Sequence, residues 1–296
     1  MTDPAGRTPI EVVEYTDPLC PWAWGSEPVF RRLRATLEGR VRWRRVYCVL
    51  FGHDDDPPAD PVAETAWYSR YVEGIGRHTH APRAFRLSRV AASSWPSSLV
   101  AKAAEAQGPV VADRVLRRLR ESAFVLGDPA DSPALALSAA RGVPGLDLDR
   151  LAADAASDAV LERVRADHRE ARRPVPHVLS VRGESPHPGA AKETPDGGHR
   201  YALPTLLVRS PAGIRVVPGW RSYEEYASAV EELEPGAAEG ACRPGTRGGP
   251  RPVPEPDRAG AQAADDRSVA AGRGRAGRHR RRPAVACGCR KVCHPG

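Results

Sequence analysis

Every aromatic residue of this chain, six Trp, seven Tyr and four Phe, lies in the first 236 residues, and the last 60 have none. A packed core needs large apolar side chains, so the core must be built from the first part alone. The last 60 residues also hold 10 Gly and 7 Pro, a bias that argues against a core of their own. Length by itself would suggest about two domains. Composition instead predicts one folded body, long enough to bury a sizeable core, followed by a disordered basic Gly/Pro/Arg-rich tail over residues 237–296. Charge follows the same division. The chain carries +7, but the tail holds 13 Lys and Arg against 5 Asp and Glu, which leaves the body at −1. The basic balance therefore implies no specific nucleic-acid face on the folded part. The run from Arg278 to Arg282 predicts nonspecific attraction to nucleic acid or acidic lipid at most.

No stretch approaches the ~20 apolar residues of a membrane span, and the N-terminus lacks the basic-then-apolar plan of a signal peptide. The expected location is the cytoplasm, with no membrane partner. Cysteine use agrees, since the body holds only Cys20 and Cys48, and a reducing compartment leaves such thiols unpaired. Cys242, Cys287, Cys289 and Cys293 fall in the tail. Cys287-Gly288-Cys289 with Cys293-His294 resembles a thiolate cluster, but its single-residue spacing in a coil is a poor match to the usual zinc pattern.

Hydrophobic periodicity orders the body. Ile10 to Thr16, IEVVEYT, reads as a strand. A helix follows, opened by Pro21, with Phe30, Leu33 and Leu37 on one face and Gly39 as its stop; Pro28 should kink it. Val41 to Leu50 is a second strand. Strand, helix and strand at this spacing form a right-handed βαβ unit with parallel strands. From Pro57 to Arg173 the pattern is helical, with four or five segments, the last striped by Leu148, Leu151, Ala155, Leu161, Val164 and His168. Tyr201 to Arg209 and Ile214 to Val217 then read as a β-hairpin, and Tyr223 to Leu233 as a closing helix with a Ser222–Glu225 capping box. The order βαβ, helical insertion, ββα gives an α/β fold: one mixed sheet with an inserted all-helical lobe.

The sharpest chemical signal is Asp17-Pro18-Leu19-Cys20-Pro21-Trp22-Ala23-Trp24. It puts a cysteine where a strand ends and a helix begins. Backbone N–H groups there stabilise an anion and push a thiol toward the thiolate, although the Asp17 carboxylate opposes that shift. The plainer reading of Cys20 is a small buried hydrophobe. Cys48 lies near the end of the second parallel strand, so both thiols can face one sheet edge; it reads otherwise as a buried strand thiol. His78-Thr79-His80 lacks companions at metal-ligand spacing and reads as exposed loop histidines, so no metal site is expected. Trp22, Trp24 and Trp220 suit either a substrate groove or core packing. On residues alone Pro204 is a strand-edge proline.

The strand with DPLCPWAWG, the helical insertion, including LRRLRESAFVLGDPADSPALALSAARG, and the late Leu203-Pro204-Thr205 together resemble the DsbA-like branch of the thioredoxin superfamily. That branch includes cytosolic bacterial members and relatives of kappa-class glutathione transferases. The resemblance implies a thioredoxin-like domain over residues 8–234, with its helical insertion at about 57–173. It further implies an active-site cysteine at Cys20, with Pro21 and Trp22 shaping the site. Pro204 would be cis, and its loop, with Leu203 and Thr205, would face Cys20 and align substrate.

The family's redox members carry Cys-x-x-Cys, whereas Ala23 stands at the fourth position here. A dithiol cycle needs a second sulfur to resolve the mixed disulfide, and Ala23 supplies none. What the sequence leaves is monothiol chemistry at Cys20 on protein or small-molecule thiols and disulfides, with Cys48 the one internal candidate for resolution. No tightly bound cofactor is expected; a low-molecular-weight thiol is the possible co-reactant. Two other classes stay open: a kappa-class-like thiol-dependent transferase or isomerase, and a non-enzymatic thioredoxin-fold binding protein. Substrate and oligomeric state are not legible.

Overall fold

Ile10–Thr16 forms β1, and its alternating side chains serve two cores. Val13 and Tyr15 point into one apolar cluster, while Ile10 and Val12 point into another, as the two-residue period of a strand requires. A chain with both faces covered must be central, and it is. β2 (Val41–Tyr47) pairs with it in parallel, Ile10 opposite Val41 through Thr16 opposite Tyr47. β5 (Thr205–Ser210) pairs with its other edge antiparallel, and β6 (Gly213–Pro218) continues from β5, giving the order β2-β1-β5-β6. This computed structural model describes residues 10–52, 59–181, 186–194 and 196–237. The tail, with its four cysteines and its basic run, lies outside the described residues.

α1 (Pro21–Thr36) crosses between β1 and β2 and packs Phe30 and Leu33 on one sheet face beside Tyr226 and Val230 of α8 (Tyr223–Glu231). It runs on through Pro28 to Thr36, since the buried residues beyond the proline offset the ~3 kcal/mol an interior proline costs. The helical lobe contains α2 (Pro61–Thr79), α3 (Trp95–Ala104), α4 (Pro109–Phe124), α5 (Pro133–Ala140), α6 (Leu148–Ala155) and α7 (Asp158–Ala171). The stripe expected as one helix from Leu148 to His168 is two. Ser157 turns extended and caps α7 by accepting from Val160 N–H, so a capping serine interrupts a continuous apolar stripe. Val100, Val115, Leu116, Leu119, Leu151 and Val164 make the lobe's own core. Two further corrections bear on the site. β2 ends at Tyr47, with Val49 at φ 49°, so Cys48 follows the strand. β5 begins at Thr205, which leaves Tyr201 to Pro204 as a loop. A small hairpin of β3 (Lys192–Glu193) and β4 (His199–Arg200) precedes it.

Lobe and sheet are tied by a buried charge cluster that the sequence reading did not anticipate. Arg120 of α4 is fully buried and reaches Glu27 of α1, Glu14 of β1 and the hydroxyl of Thr16. Arg34 bridges Glu14, Glu27 and Asp113, and Arg45 bridges Glu14 and Asp113. Three arginines thus face three carboxylates. Burial alone would raise the Glu14 carboxyl, but Arg45, Arg34 and Arg120 outweigh it and hold it down at about 2.

Candidate active site

Cys20 occupies the N-cap of α1 in an extended conformation, with Pro21 at the first helical position. A proline there sacrifices no hydrogen bond, and its fixed φ starts the helix. The cysteine carbonyl accepts from Trp24 N–H at 3.0 Å. Its thiol points the other way and donates to the carbonyl of Leu203 at 3.7 Å. Residues 183 positions apart in sequence thereby meet at one atom pair. The Leu203–Pro204 peptide is cis. The loop around it is pinned: Thr205 Oγ1 donates to Ala202 O at 2.7 Å, and Gly219 N–H donates to Pro204 O at 2.9 Å. Cys20 is only 1% exposed, with the Leu203 carbonyl against its sulfur. Ala23 lies one helical turn on, wholly buried.

Asp17 organises the turn that presents Cys20. Its carboxylate accepts from Leu19 N–H at 2.7 Å, Leu50 N–H at 2.7 Å and Ser94 Oγ at 3.0 Å, joining the β1 end, the β2 end and the entry to α3. Full burial outweighs these bonds and pushes its carboxyl up to about 6. Cys48 shares the apolar cluster of Cys20. Burial first, and then the Asp17 charge, push its thiol well above the ordinary range, and its sulfur donates to Val46 O at 3.5 Å. A thiol held protonated in this way is a poor nucleophile.

Trp22 covers the other side. Its indole Nε1 donates to Tyr71 Oη at 2.9 Å, and its ring stacks on His187 at 4.9 Å between centroids and 14° between planes. His187 was absent from the sequence reading. It is buried, and its Nε2 donates to Leu203 O at 2.7 Å; a carbonyl can only accept, so the proton is on Nε2. Burial, aided by Lys192, Arg221 and Arg200 against the Leu203 bond, lowers its pKa to about 4, which leaves the ring neutral at pH 7. The histidines expected in a loop divide. His78 sits in the last turn of α2, edge-on to Trp220 at 4.5 Å and near Trp22 at 6.0 Å; His80 is its exposed C-cap. Trp24 turns away, donating to Pro82 O at 2.8 Å. Among the described residues no group of three or more His, Cys, Asp or Glu is disposed to hold a metal.

A family model described as Thioredoxin matches residues 14–173. The chain belongs to the thioredoxin family. Solved structures agree on the fold. The cytosolic disulfide reductase DsbM from Pseudomonas aeruginosa aligns with a TM-score of 0.51 at 15% identity, over 75% of this chain and 94% of that one. A protein from Nitrosomonas europaea assigned as a disulfide isomerase gives 0.56 at 16%, over 76% and 96%. SCO1869 from Streptomyces coelicolor, assigned as a DsbA oxidoreductase, gives 0.51 at 18%, over 82% and 94%. These neighbours share the fold of this chain. Curated relatives carry a different description. The ClpXP adapter protein SpxH of Shouchella clausii is 29% identical over 164 residues, 54% of this chain and 53% of the relative. SpxH of Bacillus subtilis is 24% identical over 161 residues, 54% and 53%. The chain spans about half the length of the curated relatives it matches.

In this thioredoxin-family setting the juxtaposed groups are the Cys20 sulfur, a carbonyl that it shares with a neutral histidine, and an aromatic wall. No described helix is long and apolar enough to cross a membrane.

Proposed function

We propose that this protein is a cytoplasmic thiol–disulfide oxidoreductase or disulfide isomerase that works through Cys20 alone. The observation that carries the reading is the meeting of the helix-start Cys20 with the Leu203–Pro204 loop, while Ala23 stands where a second thiol would resolve the adduct. The Cys20 thiolate attacks one sulfur of a disulfide. One S–S bond forms as another breaks, and the departing thiolate takes up a proton. An external low-molecular-weight thiol, as its thiolate, then attacks the mixed disulfide and returns Cys20; its own oxidation balances the electrons. If instead a second thiol of the same substrate attacks, the substrate disulfide is isomerised without net redox change. Pro21 and Trp22 shape the approach, Leu203, Pro204 and Thr205 align the substrate, and the buried Cys48 takes no part in resolution. The activities named for DsbM and for the Nitrosomonas europaea protein are of this type.

Installing the missing sulfur tests the reading directly. Ala23→Cys should form an internal disulfide with Cys20 and acquire dithiol turnover in an insulin-reduction assay, faster than the external-thiol route open to the unaltered protein. Equal turnover in the two proteins, or none in either, counts against it. A second reading is favoured by the SpxH relatives, whose description is that of a ClpXP adapter, and by the burial of Cys20: a thioredoxin fold that binds a protein partner. Full function after Cys20→Ser would select it.

A further inference from the structure

Two hydrogens converge on the Leu203 carbonyl, one from Cys20 Sγ at 3.7 Å and one from His187 Nε2 at 2.7 Å. The oxygen has two lone pairs, and both are used. When Cys20 ionises, it withdraws its hydrogen and sets a negative sulfur against the same oxygen. A buried carbonyl left without a donor is costly, so whatever else holds that oxygen decides how readily the sulfur gives up its proton. We propose that His187 is a positioning residue for Cys20: its Nε2–H keeps the Leu203 carbonyl occupied, so that the thiol can lose its proton without orphaning that oxygen. The inference rests on the disulfide-exchange reading, in which the thiolate is the reacting form.

The surroundings are built to hold this ring. Its face is fixed by the Trp22 stack. Its own carbonyl accepts from Trp220 N–H at 3.2 Å and from Arg221 at 3.3 Å. The chain crosses here at two glycines: a Cβ on Gly219, at φ 77°, would collide with the His187 carbonyl, and one on Gly189 would collide with Gly219 N. Glycine at both positions is what lets residues 187–189 lie close enough for the imidazole to reach Leu203. The charged groups facing this corner are Asp17 beneath the Cys20 turn, Arg221 after β6, Lys192 on β3 and Arg200 on β4; His78 lies beyond Trp22. Of the groups at this corner it is His187 whose ring nitrogen donates to Leu203 O.

Two substitutions separate the hydrogen bond from the stack. His187→Phe keeps a ring against Trp22 but has no donor. His187→Gln loses the ring but places an amide N–H near the Nε2 position. The readout is the ultraviolet thiolate absorbance of Cys20 against pH in the full chain, taken as the difference from a Cys20→Ser partner of each variant. The expected result is a midpoint about one pH unit higher in His187→Phe, a roughly tenfold smaller thiolate fraction below the midpoint, with His187→Gln close to the unaltered protein. An unchanged midpoint in His187→Phe, or equal shifts in both variants, overturns the inference. In the unaltered protein the nitrogen-15 shifts of His187 must report a neutral ring protonated on Nε2; a ring protonated on Nδ1 overturns it whatever the variants do. A normal thiolate profile with no exchange activity refutes the proposed function instead, and leaves the hydrogen-bond result standing as a separate finding.

Discussion

Arg120→Met should be among the most damaging single substitutions in the body. Arg120 is 0% exposed and touches Glu27, Glu14 and Thr16. Methionine fills much of the volume but removes one of three buried positive charges facing Glu14, Glu27 and Asp113. Breaking a buried ion pair by deleting one partner costs about 3–5 kcal/mol, because the other charge stays behind unpaired. For a body of this size that is roughly 10 °C in thermal midpoint. A pH signature separates this cause from lost packing. Glu14 has its carboxyl depressed to about 2 from 4.5, which corresponds to about 3 kcal/mol of stability. The sign follows from linkage: a carboxyl depressed on folding stabilises above its unfolded pKa, and that stability is lost as pH falls from about 4.5 toward 2. Arg120 contributes part of it, so the gap between the two proteins should narrow steadily over that window. Circular dichroism melts at a series of pH values measure it. A gap below about 1 kcal/mol at neutral pH, or one that does not change with pH, refutes the reasoning.

Asp17 should show the opposite sign, since its carboxyl is raised on folding to about 6 from 3.8. Its ionisation opposes folding, so its contribution falls as pH rises from about 4 to about 6. Carbon-13 titration of that carboxyl should give a midpoint near 6, and a midpoint near 4 would contradict the burial argument. Gly219→Ala should cost at least about 2 kcal/mol in urea melts, from a left-handed φ and from the collision with the His187 carbonyl. It should also disturb the Leu203 loop, visible as loss of the His187 Nε2–H signature, and a neutral substitution would show that the glycine crossing is not tight.

Much of the fold was legible because each element signs its own ends. Ser132 and Ser222 cap where a side-chain oxygen precedes a helix, and β1 reads as a strand from its β-branched residues. Cys20 was legible for the same reason: the strand-to-helix switch around it is local. The errors lie where local pattern and long-range closure disagree. Tyr201 to Pro204 has strand-like residues, but the pinned Leu203–Pro204 loop takes them out of β5. Ser157 hides inside an apolar stripe that two helices share. His187 carries no periodicity, and its role arises only when its segment crosses Gly219; the signal available was the Pro186-His187-Pro188-Gly189 run, whose prolines fix the chain and whose glycine admits a close approach. The charge cluster left one trace, Glu14 in the midst of an apolar strand. A carboxylate there must be either misplaced or paired, and only the fold shows Arg34, Arg45 and Arg120 arriving from three other elements.

The central claim is that one sulfur does the chemistry, and peptide-mapped mass spectrometry of the full chain after exposure to glutathione disulfide tests it most directly. The account predicts one glutathione adduct on Cys20, none on Cys48, and persistence of the Cys20 adduct after removal of the reagent until an external thiol is added. A Cys20 that stays unmodified, or an adduct that disappears unaided with a Cys20–Cys48 disulfide in its place, would contradict it.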